Sequence, residues 1–104
     1  MNLAKLAAFL GPTYAVHDDP DDEGTPYIIW EVAPSYWHGR FKSDAELFYA
    51  LLVRAAEKGL EPGLLYMPHM KCWAVDLGQW SRGKPLHKGP TPLAALAAAV
   101  EALK

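Results

Sequence analysis

The residues able to do chemistry in this chain collect in two loops. One runs Tyr36-Trp37-His38-Gly39-Arg40-Phe41-Lys42; the other runs Trp80-Ser81-Arg82-Gly83-Lys84 and continues to His87-Lys88. Both interleave basic side chains with aromatic rings. That combination suits an anionic ligand or a single-stranded nucleic acid, because cations neutralise phosphates while ring faces stack on bases. Trp37, His38, Arg40, Lys42, Trp80, Arg82 and Lys84 are therefore the candidate binding residues. The competing reading is structural: Trp37, Phe41 and Trp80 close the ends of the core, and the charges are ordinary solvated loop residues.

Three other patterns start well and then fail. Asp19-Pro20-Asp21-Asp22-Glu23-Gly24 opens like a calcium loop, but its twelfth position, where the bidentate acid belongs, is Trp30. The stretch reads as a solvated acidic hairpin tip. Gly78-Gln79-Trp80-Ser81-Arg82-Gly83-Lys84 has phosphate-loop spacing, but Pro85 stands where Ser or Thr would hold magnesium. No helix begins at Lys84 to supply terminal amides, so this too reads as a surface loop. His69 and Cys72 have the spacing of half a zinc site, yet His17, His38 and His87 are scattered and form no second pair. Cys72 reads as a small buried strand residue. No acid–base pair, nucleophile–base pair or ligand set emerges, so no catalytic residue, metal or cofactor is assigned and the expected function is non-enzymatic.

The elements that must position these loops are clearer. Ser43-Asp44-Ala45-Glu46 is a capping box, and Gly59 suits the left-handed position past a helix end. Between them the wheel puts Ala45, Phe48, Leu52 and Ala55 on one face, with Tyr49, Leu51 and Ala56 beside it and Leu47 and Ala50 near the polar strip. A first helix opens at Asn2-Leu3 and stops at Gly11-Pro12. A last one is capped by Thr91-Pro92, with Leu93, Leu96, Val100 and Leu103 spaced along an otherwise Ala-rich stretch. Tyr27–Ala33 reads as a strand, which makes a hairpin with Thr13–Val16 if that segment is also a strand; Leu64–Met67 and Lys71–Leu77 read as a second hairpin. Trp73, Val75 and Leu77 give one face bulk, while Cys72 and Ala74 leave the other free for a close helix. Pro34–Lys42 and Gly78–Pro90 read as loops.

The expected fold is α/β in the broad sense, α+β in detail: a single-domain α-β-α sandwich of order α-(β)β-α-ββ-α over residues 1–104, with a mostly antiparallel sheet of three to four strands. A chain of 104 residues, half of them apolar, supports one core. One cysteine excludes an internal disulfide framework, and no apolar run is long enough to span a membrane. The first residues lack a secretory pattern, so a cytoplasmic setting is expected. The net charge is −2 but uneven, with one Lys against six acids up to residue 34 and nine bases against six acids beyond it. That leaves room for a local basic patch. Asn2 and Gln79 are the only side-chain amides, a thermophile tendency that a GC-rich genome would also produce.

The run from Pro34 to Ser43-Asp44-Ala45, the strand Lys71-Cys72-Trp73-Ala74-Val75 and the helix opening Thr91-Pro92-Leu93-Ala94-Ala95-Leu96 together resemble the small phage α-β-α sandwich domains. In that family a Pro-Ser-Thr-Asp-like run directly precedes the middle helix; here Pro34-Ser35 and Ser43-Asp44 are separated by the Trp37–Lys42 loop. The resemblance implies a three-layer sandwich and a phage or prophage origin, and it brings no catalytic residues. The function expected is an accessory or interaction protein. The alternative is a nucleic-acid or anionic-ligand binder using the two loops. Partners in view are a second copy of the chain, a host or phage protein, or nucleic acid. The Ala-rich last helix and Leu47 are the expected dimer surface.

Overall fold

A hydroxyl or amide side chain closes the open start of each helix. In a computed structural model describing residues 1–17, 26–31, 38–78 and 86–103, α1 (Leu3–Leu10), α2 (Asp44–Glu57) and α3 (Pro92–Glu101) are capped by Asn2, Ser43 and Thr91. Their side-chain oxygens accept from the amides of Lys5 at 3.2 Å, Glu46 at 3.3 Å and Ala94 at 3.0 Å. The return arm of the α2 capping box lands one residue early. The Glu46 carboxylate accepts from the Lys42 amide at 2.6 Å. Beyond α2, Gly59 takes the expected left-handed turn at φ +80°.

The described strands form two separate antiparallel sheets of three. β1 (Tyr14–His17), β2 (Tyr27–Glu31) and β3 (His38–Arg40) make the first in that order; β4 (Gly63–Met67), β5 (Cys72–Asp76) and β6 (His87–Gly89) make the second. The two hairpins expected from sequence are present, so the α+β class and the antiparallel pairing hold. What the sequence reading takes for two long loops each contain a short third strand, β3 and β6. Each is three residues long. Alternation cannot announce so short a strand; it forms because the middle strand of each sheet offers an open edge.

The register exposes a repeat that the linear sequence hides. Tyr14, Trp30 and Gly39 lie opposite one another across the first sheet. Tyr66, Trp73 and Gly89 do the same, in the same strand order, across the second. After α1 the described elements therefore run as two β-β-β-α units, each with a Tyr-Trp-Gly row.

α1 packs on β1 and β2, α3 packs on β5 and β6, and the three helices pack on one another. The sheets thus sit at opposite ends of a helical cluster, in a molecule measuring 46 × 30 × 20 Å. One buried cluster joins all of it, with Leu6, Leu51 and Leu96 fully enclosed, Ile28 from the first sheet and Val75 from the second. Polar contacts tie the helix ends together. Arg54 Nε donates to the Phe9 carbonyl at 3.1 Å, at the unsatisfied end of α1. Lys5 Nζ reaches the Glu101 carbonyl at 3.3 Å, and the Asn2 amide donates to the Glu101 carboxylate.

Three packing expectations change. α2 buries Leu47, Leu51 and Ala55, while Ala45, Tyr49 and Ala56 face solvent. Its surroundings are α1 and α3 rather than a flat sheet, so the helix is rotated from the face that the wheel favours. α3 is not a free surface: Leu93, Ala95, Leu96, Ala97, Ala99 and Val100 are all buried within the chain. With Leu47 also in the core, the surface expected to dimerise is internal. Finally, α3 lies on the Trp73 and Val75 face of the second sheet rather than on the Cys72 and Ala74 face. Gly89 makes the clearance. A Cβ there would come within 2.6 Å of the Ala95 nitrogen.

Candidate functional site

Strand alternation turns Ile28 and Trp30 of β2 toward the helices. Ile28 is buried, while Trp30 stays half-exposed at the end of the sheet. Beside Trp30 stands Gly39, and the indole lies over it so closely that any Cβ at that position would collide with the ring. Two residues on, Phe41 returns to the same face. The Trp30 ring centre is 4.8 Å from that of Phe41 and 5.9 Å from that of Tyr14, and the Tyr14 and Phe41 rings are stacked at 6.4 Å. These spacings are those of favourable aromatic contacts. Gly39→Ala should therefore push the indole off its seat, altering the near-ultraviolet circular dichroism and costing about 1–3 kcal/mol in a urea titration.

The first turns of α2 face this aromatic wall. Ala45, Tyr49 and Ala50 form the opposite side of an open groove of about 570 Å³, with Trp30 and Phe41 across from them. Tyr49 is 67% exposed, the most exposed aromatic side chain among the described residues. The polar members of the groove are Arg40, Lys42 and Glu46. A second, smaller cleft of about 310 Å³ lies around the helix start, reaching Tyr27, Ser43 and Asp44.

Of the residues expected to bind, Arg40 and Lys42 meet this groove, but differently. Arg40 follows Gly39 on the outward side of β3, and its guanidinium sits 4.3 Å over the Tyr27 ring. The His17 ring is 4.9 Å from the same tyrosine. Arg40 is thus engaged across the outer face of the sheet. Lys42 is exposed at the rim. His38 is the first residue of β3. Trp37, Trp80, Arg82 and Lys84 lie outside the described residues, as do the acidic stretch 19–24 and most of the phosphate-loop-like stretch 78–84. The described parts of the two loops, β3 and β6, belong to different sheets.

Asp44 and Glu46 occupy the first turn of α2. Their charge complements the positive helix end, which weakens that terminus as a seat for an added anion. No cluster of three or more His, Cys, Asp or Glu side chains stands together among the described residues. His69 is exposed in the β4–β5 turn and Cys72 is half-buried in β5. No helix of the described residues is long and apolar enough to cross a membrane.

Sequence reading misses Trp30 and Tyr49 as site residues. Trp30 reads only as one residue of the Tyr27–Ala33 strand, and its place beside the groove depends on β3 and on Gly39. Tyr49 is assigned to the buried margin of α2 because the wheel alone cannot say where neighbouring helices lie. Compared with protein-family models, with curated proteins and with solved structures, the chain has no match.

Proposed function

We propose that this chain is a non-catalytic interaction protein of the cytoplasm, an accessory protein of a phage or prophage, that holds a partner protein in the groove between Trp30 and Tyr49. The observation that supports this reading is the exposed Tyr49 facing the packed Trp30 and Phe41 rings across an open, largely apolar groove. Aromatic residues in such settings supply large contact area with few rotatable bonds, and they anchor protein interfaces. The basic rim at Lys42 favours a partner segment that presents an apolar or aromatic side chain next to an acid. The test compares proteins captured from a host lysate by the intact chain and by the Tyr49→Ser variant. A specific band lost with Tyr49→Ser, while the variant's circular dichroism stays unchanged, is the expected result. Equal capture by both forms removes the groove as the site.

A second reading is favoured by the same rings standing beside Arg40 and Lys42: stacking on the bases of a single-stranded nucleic acid. It predicts saturable binding of a fluorescent oligonucleotide, weakening steeply with salt and lost on Lys42→Glu. The interaction-protein reading predicts no saturable binding of that oligonucleotide.

A further inference from the structure

Among the described residues, a run of exposed apolar side chains lies away from the groove, at the outer edge of the second sheet. Gly63, Leu64, Leu65 and Tyr66 of β4 are all exposed. Leu65 is 56% exposed, and Met70 in the following turn is 48% exposed. α3 covers β5 and β6 and leaves β4 beyond its edge.

Proteins normally guard an open strand edge by keeping it short, charging it or covering it. The described strands offer four edges, β1, β3, β4 and β6. β3 and β6 are three residues long and carry Arg40 and Lys88. β1 ends in His17 and lies against α1. β4 is five residues long, carries no charge and has none of these guards within it.

We infer that β4 is a self-association edge, pairing antiparallel with β4 of a second copy of this chain about a two-fold axis at Leu65. The sequence fits that symmetry. Pro62 and Pro68 lie at equal distances from Leu65 and limit the pairing to the strand between them. The axis sets Leu65 against its own copy on one face, and Leu64 against Tyr66 of the copy on the other. Just beyond the prolines, Glu61 of one copy falls at the end where the other carries His69 and Lys71, and the match occurs twice by symmetry. An acidic end meeting a basic end favours this antiparallel register and a second copy over an unrelated strand. The joined edge makes one six-stranded sheet from two three-stranded ones. The strand is short, so the association depends on concentration. It involves none of the groove residues, and it stands or falls separately from the interaction reading.

The test is a cysteine crosslink. In a Cys72→Ala background, Leu65→Cys places two thiols directly opposite across the axis. Facing residues of an antiparallel pair have the Cα separation that a disulfide needs. Mild oxidation of Leu65→Cys should yield a covalent dimer, at a rate roughly tenfold or more above that of Tyr49→Cys on the remote face of α2. Sedimentation of the unaltered chain should show a dimer forming as concentration rises, and Leu65→Lys should keep it monomeric with unchanged circular dichroism. Crosslinking of Leu65→Cys no faster than Tyr49→Cys overturns the proposal. So does a dimer that survives Leu65→Lys, or an unaltered chain that stays monomeric throughout.

Discussion

Leu51→Ala should lower the unfolding free energy by about 2–5 kcal/mol, whereas Tyr49→Ala should change it by less than about 0.5 kcal/mol. The two residues are neighbours on α2, and the helical wheel puts both at the margin of one apolar face. In the fold they part. Leu51 has no exposed surface, while Tyr49 is 67% exposed. Shortening Leu51 leaves a cavity where α1, α2 and α3 meet, and a close-packed interior cannot collapse fully to fill it. Shortening Tyr49 removes one wall of an open groove and little that holds the chain together. Urea denaturation of the two variants therefore reads out the rotation of α2 directly. Equal losses would mean that the wheel has the right face.

The second large effect is expected at Gly89. Gly89→Ala should destabilise by about 1–3 kcal/mol, and Gly89→Val by more, because the added carbon meets backbone rather than a movable side chain. A Cβ at this position lies 2.6 Å from the Ala95 nitrogen and 2.8 Å from the Ala94 carbonyl carbon. Relief requires lifting α3 off the sheet, which also disturbs Leu93 and Leu96 beneath it. Gly63→Ala is the control, since the nearest atom to its Cβ is the Asp76 carbonyl oxygen at 4.0 Å. That change should alter the unfolding free energy by less than about 1 kcal/mol. Chemical denaturation of both variants, followed by circular dichroism, checks the pair.

Much of the fold is legible in the residues because local chemistry determines it. Ser43 and Thr91 cap helices in the structure as their sequence contexts require. Gly59 takes the left-handed turn that its place after Glu57-Lys58 implies. The hairpins follow from alternating apolar residues. What is not legible depends on tertiary neighbours. β3 and β6 are too short to carry a period, and they exist because β2 and β5 had edges to fill. Without β3 there is no reason to seat an indole on Gly39, so the aromatic wall of the groove stays hidden. Without β6 and Gly89 nothing says which face of the second sheet takes α3. Leu47 and Tyr49 exchange roles because α2 is clasped by helices on two sides. Arg40 and Lys42 are found from composition, as bases beside aromatic residues, but their division between the outer sheet face and the groove rim comes from strand alternation in β3.

The groove ties these points together. Its walls are the Trp30–Phe41 cluster and the solvent face of α2, both consequences of packing. If the helices are scaffold and the groove is the working surface, small aromatic probes should find it. The most direct measurement is an amide nitrogen–proton correlation spectrum of the isotope-labelled chain titrated with phenol. The expected result is saturable shifts confined to residues 30, 41, 45, 49 and 50 and their neighbours, abolished by Trp30→Ala. Shifts scattered over the surface, or clustered elsewhere and unaffected by Trp30→Ala, would rule the groove out as the working surface.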